Sequence, residues 1–378
     1  MGYLFEVLSP KTRIPNVIIL LGLGMVCKEL AVLGNWNAPN FSSVLPELGT
    51  IGLILIVLEG SLELKLTNDK KPLLIKTSLL AFLSILTLAV GLSLLFTFQG
   101  YTFQQSIVNS IPLAIISSAI AIPTAKMLSS KDKEFVIFES SLSDIIGVTV
   151  FNFLIVNTII NFDSFIHFAL EIGISILFSV IGAILLIIIL NRLKHKIKFI
   201  PIIALILMLY AIAKGFHLPA LILILVFGLV VGNIERITQI SFLKQFNPSH
   251  LIREIHRFEE ITTELTFVVR VAFFVIFGFT IDINTILEIN TLLLSLSIFA
   301  MILILRVLLL LILRLPVFPL AFIAPRGLIT ILLFVNIPLH LSIDGVNQTI
   351  ITQVILLTAL YMMFATIFVK KPVPQSTL

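Results

Sequence analysis

Long apolar runs, separated by short polar or Pro/Gly-rich connections, dominate the chain from residue 14 to residue 369. Runs of about 20 residues are long enough to cross the roughly 30 Å hydrocarbon core of a bilayer. They are continuously apolar, whereas the strands of a β-barrel would alternate in polarity over about 10 residues. Cutting the runs at polar and Pro/Gly clusters predicts an all-α polytopic membrane protein with about twelve spans: residues 14–34, 45–63, 73–98, 105–127, 134–160, 165–190, 199–214, 218–234, 262–281, 291–314, 316–338 and 349–369.

Composition supports this class. Of the 378 residues, 58% are hydrophobic and 12% are charged, which excludes an ordinary cytosolic enzyme. The single cysteine, Cys27, excludes a disulfide framework and a metal site built from thiolates, and we predict no cofactor. The net charge of +5 comes from basic residues scattered over short loops, so we interpret it as an orientation signal and predict no nucleic-acid partner.

The distribution of basic residues predicts an orientation. If the N-terminus is cytoplasmic, basic residues gather at the inner ends of the spans and Lys214 alone lies in an outer loop. An even number of spans then places both termini in the cytoplasm, with the chain in the cell (inner) membrane. No small-residue cleavage site follows the first run, which ends in Cys27, Lys28 and Glu29, so that run is expected to be a retained helix.

The longest connection, residues 235–261, is expected to be cytoplasmic and to join the two halves of a single membrane domain over residues 1–378. Its charges alternate with apolar residues, which is typical of an interfacial helix. A plain linker fits the same residues, and the two interpretations are compatible. No soluble regulatory domain is expected.

Charged side chains remain inside the predicted spans: the basic residues Lys28, Arg270, Arg306 and Arg326, and the acidic residues Glu139 and Asp144. Lys28 lies near a span end, where it can reach water. Left unpaired, Glu139, Asp144, Arg306 and Arg326 together would cost on the order of 12 kcal/mol. One acid and one base suffice for a clamp between helices, so the remaining acid is a transport-site hypothesis.

The fifth span carries a polar stripe. Ser140, Ser143, Asp144 and Gly147 fall at i, i+3, i+4 and i+7, which places them on one helix face that can coordinate a cation. Glu139 lies about 140° round the helix from Asp144. The two carboxylates are therefore expected to have different roles.

Two other spans contain helix-breaking prolines, Pro123 in the fourth span and Pro325 in the eleventh. Proline frees a backbone carbonyl one turn earlier, and in a membrane that group needs protein, water or an ion as partner. Discontinuous helices in two halves of a transporter point to a binding site at the interface of inverted repeats. We therefore predict broken crossing helices at spans 4 and 11.

Four segments resemble motifs of the monovalent cation/proton antiporter superfamily, of the sodium/proton exchanger type. Glu139-Ser140-Ser141-Leu142-Ser143-Asp144 is similar to its Glu-Ser-x-x-Asn-Asp motif, and Ala324-Pro325-Arg326-Gly327 to its Arg-Gly motif. Phe273-Phe274-Val275-Ile276-Phe277-Gly278 resembles its aromatic helix, and Leu58-Glu59-Gly60-Ser61-Leu62-Glu63-Leu64 its Gly-Leu-Glu segment. The resemblance extends over nearly the whole membrane domain.

The resemblance implies roles for four residues. Asp144 would be the carboxylate that binds cation and proton, and Glu139 with Arg326 would form the ion pair of the core. Arg306 would match the basic residue that faces the site from the tenth span. The resemblance also implies a homodimer in the lipid bilayer.

The chain departs from the family pattern at two places. Ser143 stands where the electroneutral branch has Asn and the electrogenic branch has a second Asp. Ala121-Ile122-Pro123 stands where many members have Thr-Asp-Pro. With one site carboxylate instead of two, the resemblance implies the electroneutral branch.

The residues suggest how exchange would work. Burial disfavours a bare carboxylate at Asp144, and either a proton or a metal cation neutralises it. A hard cation prefers oxygen ligands, which Asp144 and the hydroxyls of Ser140, Ser143 and Thr124 could supply. We therefore predict a secondary antiporter that exchanges Na⁺, or else K⁺ or Li⁺, for H⁺.

Two other classes remain open at this point. A cation channel or gated pore could use the same broken helices, and would pass current without obligatory proton flux. A membrane scaffold or an intramembrane enzyme is the third possibility, although no His-x-x-x-His or Gly-x-Ser-x-Gly motif occurs in the chain. We predict that the protein is not an enzyme.

Overall fold

The structure is a computed structural model that describes residues 15–35, 41, 44–125, 127–157, 161–192, 199–216, 218–237, 248–286 and 288–368. All regular elements within these residues are helical. The α-helices are α1 (Asn16–Leu33), α2 (Val44–Glu63), α3 (Lys71–Phe98), α4 (Phe103–Ala114), α5 (Ser118–Ala125), α6 (Ser130–Val156), α7 (Phe162–Arg192), α8 (Phe199–Gly215), α9 (Ala220–Gly232), α10 (Ile234–Ile237), α11 (Pro248–Thr280), α12 (Ile283–Ile286), α13 (Ile289–Ile312), α14 (Leu328–Val335) and α15 (Gln348–Phe368).

Each predicted span has a helical counterpart, which confirms the predicted fold class. Within the described residues, eight segments are long and apolar enough to cross a membrane, and α4 with α5 form one of them. Shorter apolar helices at Ile203–Gly215, Ala220–Gly232 and Gln348–Phe364 match three more spans. The eleventh span consists of an irregular segment followed by the short helix α14.

Local capping explains where two helices of the site begin. The Thr102 hydroxyl accepts a hydrogen bond from the Gln105 backbone N–H, and the Gln105 side chain accepts one from the Thr102 backbone N–H. Ser129 likewise accepts from the backbone N–H of Asp132, at the start of α6. These contacts satisfy backbone donors that a helix N-terminus leaves without intrahelical partners. They fix the start of α4 and of α6.

The described residues form two compact units. The first unit takes its described residues from Met1–Gly52, Leu73–Gly147 and Val268–Leu378. In it, α1 and α11 touch backbone to backbone, because a Cβ atom at Gly24 would lie 2.2 Å from the Val275 carbonyl oxygen and one at Gly278 would lie 2.4 Å from that of Leu21. All of the predicted site residues belong to this unit.

The second unit takes its described residues from Leu53–Pro72 and Val148–Phe267. Within it, the Ser179 hydroxyl on α7 donates to the Leu223 carbonyl on α9, at 2.6 Å. The Asn233 side chain after α9 donates to the Leu64 carbonyl at 2.9 Å and accepts from the Leu66 N–H at 2.6 Å. The segment that follows α2 is therefore hydrogen bonded to the end of α9.

The predicted connection over residues 235–261 lies partly outside the described residues, which omit 238–247. From Pro248 onward it is the first part of α11, which continues without interruption to Thr280. Its apolar side chains Leu251, Ile255 and Phe258 are buried. This part of the predicted interfacial helix therefore packs against protein.

Candidate functional site

Asp144 lies on α6 and is 2% exposed. Its Oδ2 atom accepts hydrogen bonds from the backbone N–H of Ser118, at 3.1 Å, and from the Ser118 hydroxyl. Its Oδ1 atom is equally buried but accepts no hydrogen bond from any described residue. No described arginine or lysine forms a salt bridge with it. One oxygen atom of the Asp144 carboxylate is thus held by Ser118, and the other is buried without a hydrogen-bond partner among the described residues.

The polar stripe on α6 holds the break between α4 and α5. Ile115 packs where α6 has a glycine, since a Cβ atom at Gly147 would lie 2.2 Å from the Cγ1 atom of Ile115. The next residue, Ile116, donates its backbone N–H to the Ser143 hydroxyl oxygen at 3.0 Å. With the hydrogen bonds from Ser118 to Asp144, three of the four residues 115–118 contact the stripe.

The break in the fourth span therefore lies at residues 115–117, earlier than the sequence indicated. Pro123, which the sequence interpretation placed at the break, lies inside α5. The Thr124 hydroxyl donates to the Ile120 carbonyl within the same helix, at 3.0 Å. The fourth span is interrupted at residues whose backbone groups find partners in other segments. Pro123 lies within the helix that follows this break.

The eleventh span is broken at residues 323–327, and the two breaks are in contact. The backbone N–H of Ser117 donates to the Pro325 carbonyl at 2.8 Å. Gly327 allows the close approach, because a Cβ atom there would lie 2.6 Å from Ile120 Cδ1 and 2.7 Å from Ser117 Oγ. Both spans are therefore interrupted as predicted, although in the eleventh span the interruption separates an irregular segment from α14 and not one helix from another. Pro325 is part of the second break.

Arg326 satisfies backbone carbonyls that the breaks leave free. It is 1% exposed, and its Nε–H donates to the Leu113 carbonyl at 2.8 Å. Its terminal nitrogens donate to the carbonyls of Ala324 and Ala114. Leu113 and Ala114 end α4, where carbonyls lack intrahelical partners and a positive charge is favoured. The guanidinium therefore caps α4 and joins it to the second break.

Glu139 forms its ion pair with Arg306, and the predicted pair with Arg326 is wrong. Both nitrogens at the end of the Arg306 guanidinium donate to the Glu139 carboxylate, with Nη2 at 2.8 Å from Oε2. The Nε and Nη2 atoms of Arg306 also donate to the Leu320 carbonyl. Arg306 was predicted to face the cation site, but it forms no hydrogen bond or ion pair with Asp144. The physical reason for the correction is that the carbonyls at the breaks already engage Arg326.

The other predicted ligand lies beside this core. Ser140 is buried on α6, and its hydroxyl donates to the Val136 carbonyl of the same helix at 2.7 Å. The hydroxyl oxygens of Ser140 and Thr124 each keep lone pairs, but neither hydroxyl contacts Asp144. The structure thus brings Ser143 and Asp144 together at the first break and leaves Ser140 and Thr124 outside that hydrogen-bonded group.

Sequence reasoning missed two site residues, Ser117 and Ser118. Ser118 holds the Asp144 carboxylate, and the Ser117 hydroxyl is buried without a hydrogen-bond partner among the described residues. A pair of consecutive serines within a buried apolar run was the available signal. The oxygen atoms at the break, from one carboxylate and several hydroxyls, suit a hard monovalent cation.

Comparisons with known proteins concern the fold and the family. No curated protein matches the sequence significantly. Among solved structures, the chain is similar to the sodium proton antiporter MjNhaP1 from Methanocaldococcus jannaschii at pH 8, with a TM-score of 0.69 and 18% identity over 97% of this chain and 92% of that one. A structure of MjNhaP1 from an electron-microscopy map gives a TM-score of 0.66 and 16% identity over 97% and 91% of the two chains. At this level of sequence identity, the structural similarity shows only that the fold is shared.

The family assignment comes from the sequence. The transmembrane sodium/hydrogen exchanger family matches residues 1–373, which is nearly the full chain. The predicted superfamily is therefore confirmed, as is the prediction that the protein is not an enzyme. The chain belongs to the sodium/hydrogen exchanger family, whose members are secondary transporters that exchange a cation for protons.

Proposed function

We propose that this antiporter exchanges Na⁺ for H⁺ at a single carboxylate, that of Asp144. One observation carries the proposal: Oδ1 of Asp144 is buried and accepts no hydrogen bond from the described residues, while Oδ2 is held by Ser118. A bare buried carboxylate is costly, so the site favours states in which a proton or a cation neutralises it. Both ligands need the same oxygen atoms and therefore compete.

Competition at one site is sufficient for exchange. If only the loaded forms of the carboxylate pass between the two sides of the membrane, each inward Na⁺ obliges an outward H⁺, or the reverse. Glu139 does not add a second exchangeable charge in this mechanism, because Arg306 already neutralises it. One site carboxylate therefore supports electroneutral exchange with one ion for one proton.

The proposed cation ligands come from α6 and from the first break. Asp144 Oδ1 supplies the charge, and the buried Ser117 hydroxyl and the Ser143 hydroxyl supply neutral oxygens. Ser143 accepts one hydrogen bond from the Ile116 N–H, which leaves its oxygen a further lone pair. Ser140 and Thr124 are less favoured as ligands, because their hydroxyl groups donate to carbonyls of their own helices.

The membrane arrangement is part of the proposal. The bias of basic residues supports a cytoplasmic position for both termini, in the cell (inner) membrane. The segment over residues 235–261 would then be a cytoplasmic connection within one transport domain. The homodimer that the family resemblance implies stays a prediction.

The test is proton flux in reconstituted vesicles. Purified protein is placed in liposomes with an imposed pH gradient and a clamped membrane voltage, and Na⁺, K⁺ and Li⁺ are added in turn. We expect Na⁺ to dissipate the gradient at a rate independent of voltage, and Asp144→Asn to abolish the response. Asp163→Asn, which makes the same change at an exposed position at the start of α7, should retain full exchange.

Two outcomes would contradict the proposal. Full exchange by Asp144→Asn would remove the carboxylate mechanism, and cation current without obligatory proton flux would indicate a channel. A further pair of variants tests the ligand geometry: Ser118→Ala should weaken the apparent Na⁺ affinity roughly tenfold, since it removes the hydroxyl donor to Oδ2 and leaves only the backbone N–H to position the carboxylate. Ser297→Ala removes a hydroxyl group that donates only to the Leu293 carbonyl of its own helix, at an exposed position outside the ligand set, and should change the affinity little.

A further inference from the structure

A cavity of 430 Å³ lies in the first unit at the ends of five helices. Its lining includes residues from the C-terminal part of α1, α11 and α14 and from the N-terminal part of α2 and α15. These five helix ends therefore lie close together within the first unit. None of the proposed cation ligands lines the cavity, so it is separate from the site at Asp144.

The walls of the cavity are mostly apolar and aromatic. Phe41, Phe277, Phe279 and Phe334 contribute rings, and the rings of Phe41 and Phe279 meet edge to face with centroids 5.4 Å apart. Aromatic rings in a cavity wall can pack against the apolar part of a ligand, and favourably against another aromatic ring. Pockets of about 300 to 1,000 Å³ are typical of small-molecule sites, and this volume is too small for a lipid with two acyl chains.

Lys28 is the one charged side chain in the lining. Its Nζ atom donates to the Ile281 carbonyl at 2.9 Å and forms no salt bridge with a described residue. An ammonium group has three N–H donors, so it has capacity for further acceptors. Thr280 and Gln348 provide the neighbouring polar groups and are hydrogen bonded to each other at 3.0 Å. The cavity therefore combines a positive charge at one place with apolar walls.

We propose that this cavity is a binding site for a small amphipathic anion, an aromatic or short-chain carboxylate or sulfonate taken up from the aqueous phase. The Lys28 ammonium binds the acid group, and the four phenylalanine rings enclose the apolar body. The side chain of Val335 also lines the cavity and is 48% exposed, which gives the ligand an approach from the surface.

The test measures binding directly, with 2-naphthalenesulfonate as probe, which stays anionic at all usable pH values and does not carry protons across membranes. Equilibrium dialysis of the purified full chain in neutral detergent should show one saturable site. Lys28→Met should weaken binding roughly tenfold or more, and Lys28→Arg should retain it. Lys214→Met, which removes an exposed charge at the end of α8, is the matched control and should bind as the wild type does.

Shape is tested separately from charge. Val335→Trp fills the cavity from an exposed position, so it should abolish binding while leaving Lys28 and the fold intact. Equal binding by Lys28→Met and wild type, tighter binding of the cation 2-naphthylmethylammonium, or displacement only by phospholipid would each overturn the proposal. Because binding is measured without transport, failure of the exchange mechanism at Asp144 would leave this result unaffected.

Discussion

The two buried arginines of the site have different partners, and their partners define their roles. The planar guanidinium of Arg306 donates two hydrogen bonds to the Glu139 carboxylate, one to each oxygen atom. This bidentate arrangement suits the planar shape of both groups. Arg326 donates to three backbone carbonyls. Asp144 is left with hydrogen bonds from Ser118 and without a basic partner among the described residues. The core thus holds a buried ion pair apart from a buried carboxylate that has no basic partner among the described residues.

The corrected ion pair can be tested with double-mutant cycles in detergent. Glu139→Gln should lower the free energy of unfolding by about 3 kcal/mol, because it leaves the buried Arg306 without its carboxylate. Adding Arg306→Gln should recover part of that loss, since both charges are then gone. The matched cycle of Glu139→Gln with Arg326→Gln should give a smaller coupling energy, because Arg326 donates its hydrogen bonds to backbone carbonyls and not to Glu139. A coupling energy that is larger for Arg326 than for Arg306 would show that our assignment is wrong.

At the scale of helices, the site depends on two breaks that support each other. The first break is attached to α6 through Ser143 and Asp144, and to the second break through the hydrogen bond from Ser117 to Pro325. Arg326 adds contacts to the end of α4. Backbone groups that would be unsatisfied in lipid therefore find partners within the protein.

Gly327→Ala should separate the two breaks. The added methyl group would lie 2.6 Å from Ile120 Cδ1 and 2.7 Å from Ser117 Oγ, so the segments must move apart. We expect Na⁺-driven proton flux to fall at least roughly tenfold while the helix content stays unchanged. Gly173→Ala on α7, where an added methyl group meets nothing within 4 Å, is the control and should exchange normally. Wild-type flux in Gly327→Ala would contradict the role of this contact.

At this scale the sequence predicted much of the fold but not its pairings. Continuous apolar runs located all twelve spans because hydrocarbon thickness sets their length. Pro123 indicated the wrong place for the break, since the partners that stabilise residues 115–117 come from α6 and from Pro325, far away in the chain. The sequence also could not show whether Arg306 or Arg326 pairs with Glu139. Similar depths in the membrane do not determine how the helices are rotated relative to one another, and that rotation decides which side chains meet.

For the whole molecule, the distribution of basic residues predicts an orientation in the membrane. The loops at the predicted inner ends of the spans carry nearly all of the basic residues outside the spans, and the predicted outer loops carry only Lys214. Positive charge retained in the cytoplasm makes this distribution typical of a chain whose termini are both inside.

Orientation can be measured by labelling single cysteines in a Cys27→Ser background with a membrane-impermeant maleimide. Thr102→Cys, before α4, and Lys214→Cys, at the end of α8, should react in intact cells, because both positions are predicted to be outside. Lys133→Cys, in the first turn of α6, should react only after the cells are permeabilised. The reverse pattern would show that the termini are outside.

If exchange takes place at one carboxylate, as proposed, that limits the ion gradient which the transporter can sustain. With one site that carries either ion, the membrane potential does no work on the cycle, and a Na⁺ ratio across the membrane can at most equal the opposing H⁺ ratio. A cell could then hold about a tenfold difference in Na⁺ for each unit of pH difference across its membrane, and no more. In an alkaline medium, where the outside has fewer protons than the cytoplasm, the same protein would load the cell with Na⁺ instead of clearing it.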